Sequence, residues 1–281
     1  MAVRAGGPLQ RFFTFHLPLT VMVVATLFPF YWMMVTAIRP DTELYSVQAN
    51  PFLTLHPTLQ HFRDLFERTM FGRWAWNTFF IATVSTGLSL FCGLLAGYAL
   101  ARLKFRWASP LGTLIFITYL VPPTLLFIPL GSVVRAFGIA DTPWAVILTY
   151  PTFLIPFSTW LLMGYFRTIP REMEDCARID GASRFQAMVR IAFPLAVPGI
   201  LSAGIFAFTL SWNEFLYALV FLSSPQQKTI PIGVFTELVR GDVFYWGPLM
   251  AGALLGSIPV AIVYSFFVEH YVAALTGAVK C

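Results

Sequence analysis

Apolar residues in this chain do not alternate with polar ones. They fall in long runs at about 17–38, 76–101, 110–134, 144–166, 197–222 and 246–268. Each run is close to the roughly 20 residues that an α-helix rising 1.5 Å per residue needs to cross a hydrocarbon core of about 30 Å. The pattern predicts an all-α integral membrane protein with six transmembrane helices and both termini on one side. One stretch departs from it. Residues 169–198 carry charge densely from Arg171 to Arg190, and a charge at the bilayer centre costs roughly 3 kcal/mol or more. That segment is predicted to lie outside the hydrocarbon, as a polar appendage between two spans.

Composition agrees. Apolar residues make up 58% of the chain and charged residues 11%, against about a quarter charged in soluble domains, so the whole of 1–281 is read as a single transmembrane domain. Arg4 and Arg11 precede the first run as in a signal peptide, but the apolar part runs too long and no small-residue cleavage pattern follows, so it is read as the first retained span. The net charge of +5 is no sign of nucleic acid, because the basic residues cluster at span ends. With the N-terminus inside, the inner segments hold eleven of the eighteen basic residues, from Arg4 and Arg11 through Arg102, Lys104 and Arg106 to Lys280. The outer loop 39–73 balances its four arginines with Asp41, Glu43, Asp64 and Glu67. The positive-inside rule then places both termini and the 169–198 segment in the cytoplasm.

Several runs are punctuated. Pro122-Pro123 and Pro129 are expected to interrupt the third span, Pro151 and Pro156 the fourth, and Pro259 the sixth, since each proline removes a backbone hydrogen bond. Gly93 with Gly97, and Gly252 with Gly256, offer small faces for close helix approach. Cys92, Cys176 and Cys281 form no disulfide framework.

Within the charged segment, Glu172, Glu174 and Asp175 suit a helix N-terminus, with Pro170 in its first turn. Met173, Cys176 and Ala177 form an apolar stripe that leaves Glu174, Asp175 and Arg178 for another face. Asp180-Gly181 ends this helix through a left-handed glycine. Ser183 and Gln186 have the spacing of a capping box for a second short helix, with Phe185, Met188, Val189 and Ala192 as its apolar face until Pro194 and Pro198. A helix–turn–helix with an apolar knob and a charged rim suits a groove on another protein.

The spacing here resembles that of the permease subunits of binding-protein-dependent ABC importers, whose cytoplasmic motif runs Glu-Ala-Ala, three residues, Gly, nine residues, Ile-x-Leu-Pro. This chain has Asp175-Cys176-Ala177, then Gly181, then Ile191-Ala192-Phe193-Pro194. The extended IDGAS at 179–183, GIADT at 138–142, IP at 169–170, WNEF at 212–215 and GAVK at 277–280 are similar to the carbohydrate-uptake branch, specifically its maltose-permease-like smaller subunit. The resemblance implies that Glu174, Asp175, Cys176, Ala177, Asp180, Gly181, Ala182, Ser183, Phe185 and Met188 couple the chain to an ATPase. Asp175 stands where the family has Glu and Cys176 where it has Ala, so the acidic contact is not assigned to Asp175 alone: Glu174 shares it or takes it over. The resemblance also implies a bacterial plasma (inner) membrane. The implied partners are an ABC ATPase dimer that binds ATP and Mg, a second homologous permease forming a heterodimer, a periplasmic or lipid-anchored solute-binding protein, a sugar, and membrane lipid.

No GxxxxGK[ST] loop occurs, and none of Lys104, Lys228 and Lys280 has a glycine directly before it, so P-loop ATP binding lies elsewhere and the chain carries no cofactor or catalytic residue of its own. Trp212, Asn213 and Glu214 are candidates for the translocation path; in a continuous span Glu214 lies about 22 Å from the start near Gly199. It lines a pathway or gate, or it forms a packing hydrogen-bond centre toward the partner permease, and the second is favoured because the resembling subunit often leaves sugar contacts to its partner. A secondary transporter or channel using Glu214 is the alternative. A membrane hydrolase lacks a nucleophile–base set or metal cluster. His16, His56, His61 and His270 lack ligand spacing and are read as interface or surface residues; Arg39, Asp41 and Glu43 either touch a periplasmic binding protein or are solvated loop charges, and the second is favoured.

Overall fold

Long apolar runs satisfy their backbone polar groups internally by coiling into helices, the form required where no water is present. The computed structural model describes the backbone of residues 8–277 and side chains from 9 to 266; His270, Lys280 and most of the GAVK motif lie outside the described residues or side chains. In chain order the elements are α1 (Leu9–Ile38), a single turn at Asp41–Leu44, α2 (Gln60–Arg68), α3 (Phe71–Arg102), α4 (Ala108–Tyr119), α5 (Pro123–Ala136) and α6 (Pro143–Thr168). There follow α7 (Glu172–Ile179), α8 (Arg184–Leu195), α9 (Val197–Trp212), α10 (Leu216–Phe221), α11 (Ile230–Leu238), the strands β1 (Val239–Arg240) and β2 (Val243–Phe244), and α12 (Trp246–Gly277). Among the described residues, α1, α3, α6 and α12 are each long and apolar enough to cross a membrane, and two bent helix pairs bring the number to as many as six. This is a multi-pass membrane protein.

The prolines act unequally. Only Pro122-Pro123 breaks a span: the second proline holds Pro122 at φ −58° and ψ 126°, outside the helical region, and α4 and α5 meet at 93°. Pro129, Pro156 and Pro259, expected to interrupt their spans, lie inside continuous helices. A lone proline forfeits one ladder bond; at Pro151 the helical ladder is interrupted at Tyr150, whose φ −57° and ψ −35° stay helical, so Pro143–Thr168 continues as one span. Pro194 is likewise carried within α8, after a π-helical turn at Met188–Ala192 that loosens the ladder where the proline N–H is missing. The chain turns instead at Ala196, where α8 and α9 meet at 71°.

The chain divides into two compact units, one of residues up to Thr69 with Val234–Leu255, the other of Met70–Gly233 with the chain from Gly256. In the first, Arg39 is buried, and its Nη2 donates to the carbonyls of Asn50, Pro51 and Leu53 at 2.7, 2.8 and 2.9 Å. Glu43 accepts from Thr54 Oγ1 at 2.8 Å. These two are therefore internal ties of the loop, not solvated charges, because a loop this long has many carbonyls and amides that no helix satisfies. His61, expected at an interface or surface, is 2% exposed with Nε2 2.8 Å from the Arg39 carbonyl.

In the second unit α3 and α6 run together along a face where Gly93 and Gly97 remove the side chains that would hold them apart. A Cβ on Gly93 would fall 2.7 Å from Ser158 Cβ, and one on Gly97 3.0 Å from the Met163 amide nitrogen, so the small-residue expectation holds on this pair. Two apolar clusters fill the unit. Tyr150, Leu154, Tyr217, Phe221, Ile81 and Ile232 form one; Tyr98, Leu162, Phe166, Ala192, Ala196 and Ala203 form the other. The 223–229 loop is tied to α3 by Trp74 Nε1 donating to the Pro225 carbonyl and Asn77 Nδ2 to the Gln226 carbonyl, both at 2.8 Å. Asp141, at φ 57°, holds the same loop from another direction: its carboxylate accepts the amides of Ser223 and Ser224 at 2.8 and 2.9 Å and the Ser224 hydroxyl.

Candidate functional site

The charged segment folds as its sequence dictates. Three acids open α7, where they complement the exposed amides of its first turn. Asp180 N and Ala182 N close the helix onto the carbonyls of Cys176 and Ala177 at 3.0 and 2.9 Å, which requires Gly181 at φ 93°. Ser183 then caps α8 reciprocally: its Oγ accepts the Gln186 amide at 3.2 Å, and Gln186 Oε1 accepts the Ser183 amide at 2.8 Å.

The pair sits on the second cluster through a polar joint. Glu174 is buried, turned away from its neighbours Asp175 and Arg178, which are exposed. Its Oε1 lies 2.8 Å from Arg102 Nε and its Oε2 accepts from Tyr98 OH at 2.7 Å. Tyr98 and Arg102, four residues apart, share one face at the end of α3. Arg102 Nη2 also donates to the Ile169 carbonyl at 2.7 Å, and Arg171 Nη2 to the Ala101 carbonyl at 3.0 Å, so both sides of the α6–α7 link are fastened to α3. Around this joint Tyr98, Phe166 and Phe193 meet with ring centroids 5.5 to 6.1 Å apart. The acidic contact that the sequence divides between Asp175 and Glu174 is thus split in space: Glu174 faces the bundle, and Asp175 remains outside, 3.6 Å from Arg178 in a surface pair of small energetic weight.

The outer face is apolar. Met173, Ile179, Phe185 and Val189 are exposed, Ile179 at 84% and Phe185 at 69%. Cys176, Asp180, Gly181 and Ser183 lie with them on the exposed side, Ala177, Ala182 and Met188 are half-buried, and Ala187 and Ala192 point inward. Two short helices fastened by buried polar contacts thus present large apolar side chains outward.

The three path candidates do not converge. α9 stops at Trp212, so the continuous span assumed from sequence is broken at the WNEF stretch. Trp212 is buried, with Nε1 donating to the Gly256 carbonyl at 3.0 Å. Asn213 is exposed and its Nδ2 donates to the Thr209 carbonyl at 3.0 Å, ending α9. Glu214 begins α10: Oε1 accepts the Tyr217 amide at 2.8 Å and Oε2 the Ala218 amide at 3.1 Å. Both its oxygens are engaged in capping, so the alternative of a secondary transporter or channel using Glu214 is not supported. Tyr98 was not singled out in the sequence, and Arg102 only as a topological charge; their i, i+4 spacing at a span end, beside an acidic helix start, is the signal that marks them.

Comparison with known proteins gives the chain a family. The family described as "Binding-protein-dependent transport system inner membrane component" matches residues 89–277. The sulfoquinovosyl glycerol transport system permease protein SmoH of Agrobacterium fabrum is 34% identical over 274 residues, covering 97% of this chain and 93% of its own. The trehalose/maltose transport system permease protein MalG of Thermococcus litoralis is 30% identical over 264 residues, 92% of this chain and 94% of its own. A crystal structure of a bacterial ABC transporter involved in the import of the acidic polysaccharide alginate has a chain that superposes with a TM-score of 0.78 at 20% identity, over 95% of this chain and 99% of that one, which speaks to the fold.

Proposed function

Because the chain belongs to the family of binding-protein-dependent transport system inner membrane components, we propose that it is the permease subunit of an ATP-driven importer of sugars or sugar-like solutes, with α7 and α8 receiving the motion of a separate ATPase. The observation that carries the coupling role is the pairing of an exposed apolar face with a buried polar joint at Glu174. The sugar class rests on the relatives, whose names give trehalose/maltose and sulfoquinovosyl glycerol as their cargo.

In this reading the ATPase dimer binds ATP and Mg, and its closure moves a groove that holds Phe185, Ile179 and Met173. The displacement passes through the Glu174–Arg102–Tyr98 joint into α3 and, through the Ile169 carbonyl, into α6, so that the spans swing as rigid bodies between inward-open and outward-open packings. ATP shifts the equilibrium only to the extent that the ATPase contacts differ between the two states. A second permease completes the pathway, a solute-binding protein delivers cargo from outside, and both termini lie in the cytoplasm.

The test is replacement of the outer face. Phe185→Asp or Ile179→Asp alters no internal contact, so the subunit still inserts, while sugar uptake and transport-linked ATP hydrolysis by the reconstituted complex are lost. Uptake equal to that of the unaltered complex in both variants would overturn the coupling role.

A further inference from the structure

The polar joint forms one wall of a cavity whose remaining cationic groups the coupling role does not use. It encloses about 270 Å³ where the end of α3 meets the start of α7. Five cationic side chains line it, those of Arg102, Lys104, Arg171, Arg178 and Arg184, against the two carboxylates of Glu174 and Asp175, an excess of three positive charges. Arg102 is occupied by Glu174 and the Ile169 carbonyl, Arg171 by the Ala101 carbonyl, and Arg178 by a loose contact of 3.6 Å with Asp175. Lys104 and Arg184 have no ion-pair partner among the described residues, and both are exposed. Like charges gathered around one hollow repel each other unless an anion lies among them.

We infer that this cavity binds a phosphate group, held by Lys104 and Arg184 with support from Arg171 and Arg178. Guanidinium forks approaching from several helices match the oxygens of a phosphate. The volume exceeds that of a single water several-fold, a water's share of liquid being about 30 Å³, so the site has room for the group and part of what it is attached to. Its place at the polar end of a membrane-spanning helix is where the phosphates of anionic lipids lie. An anionic lipid headgroup and a free phosphate share this chemistry.

The experiment uses the complete transporter in nanodiscs. One arm contains phosphatidylcholine with phosphatidylglycerol, and counts phosphatidylglycerol molecules retained through delipidation by native mass spectrometry. The other contains phosphatidylcholine alone, titrated with inorganic phosphate in a calorimeter. Retention in the first arm identifies a lipid headgroup, and heat in the second a soluble phosphate. In whichever arm binds, Lys104→Gln with Arg184→Gln weakens binding at least about tenfold, the scale expected for removing two charged contacts, while Arg106→Gln, in the same loop but outside the cavity, leaves it unchanged. Both altered residues are exposed, so the variants retain the fold. No binding in either arm, or equal binding by the double variant, overturns the inference, and because the readout is binding it does not depend on sugar uptake.

Discussion

The seat of α7 gives the sharpest quantitative expectation. Glu174 and Arg102 approach to 2.8 Å with side chains 11% and 5% exposed, and at an effective dielectric of about 20 that separation corresponds to roughly 6 kcal/mol of gross attraction. Much of it is offset by the cost of taking both charges out of water. What a single truncation exposes is the uncompensated partner: Glu174→Ala leaves the Arg102 guanidinium buried beside a hole, at a cost of about 3–5 kcal/mol for such pairs. Since Arg102 keeps the Ile169 carbonyl as an acceptor, the lower end, about 3 kcal/mol, applies. If α7 lifts off as a unit when the joint breaks, that loss raises its opening constant by about two powers of ten, at 1.4 kcal/mol per power. Hydrogen exchange of the intact transporter, read on peptides covering 172–181, then shows about a hundredfold loss of protection confined to this segment, and Glu174→Leu with Arg102→Met recovers much of it by removing both charges. Protection of Glu174→Ala within about threefold of the unaltered protein would refute the reasoning, because a joint worth about 3 kcal/mol cannot be removed that quietly.

Three further outcomes follow from particular contacts. Gly93→Leu drives a side chain into Ser158 on α6, where even a Cβ stands at 2.7 Å; overpacking of about 1–3 kcal/mol or more lowers the melting temperature in detergent, whereas Gly87→Leu, with open space around it, leaves it in place. Gly181→Val forces a β-branched residue to φ 93° at a cost of at least about 1–2 kcal/mol, and the capped turn reorganises, so uptake falls while the permease still inserts. Burial pushes the Asp141 carboxyl up, but hydrogen bonds from the Ser224 hydroxyl and the amides of Ser224 and Ser223 outweigh it and hold the group below its ordinary value. A depressed folded value means the stabilisation is complete above the unfolded value of about 3.9 and is lost as pH falls through the folded one, so the melting-temperature gap between the unaltered protein and Asp141→Asn is widest near neutrality and closes below about pH 4; a gap constant from neutral to acid pH would contradict the assignment.

The spans were legible because their signal is additive: some twenty apolar residues in a row admit a helix and little else in lipid. Breaks within them were harder to place, because a proline's effect depends on its neighbours. Pro122-Pro123 restrict each other and break the chain, whereas Pro156 leaves its helix continuous, and nothing local in the sequence separates the two outcomes beyond the doubling. The turn and caps of the 169–198 segment could be read because Gly181 and the Ser183/Gln186 pair act over three or four residues. The orientation of Glu174 could not, since it is set by Tyr98 and Arg102 more than seventy positions earlier. The same holds for Arg39 and His61, whose partners are carbonyls that carry no mark in the sequence.

The proposed coupling role requires stiffness toward the spans and adhesion toward the partner, and the chemistry of α7 and α8 divides along that line. An apolar seat alone would fix no orientation, since dispersion contacts are non-directional. The Glu174 carboxylate instead accepts a hydrogen bond from Tyr98 OH and forms an ion pair with Arg102, four residues further along the same helix face, and a hydrogen bond to a charged group weakens once its geometry is disturbed. Rotation of α7 against α3 therefore breaks the joint before it bends it. On the other side Phe185 and Ile179 offer area without direction, which tolerates the re-seating that a moving groove demands. Asp175, exposed and 3.6 Å from Arg178, is the acid that in the proposed coupling role remains available to a cation on the partner, whereas Glu174 is committed to the joint with Tyr98 and Arg102.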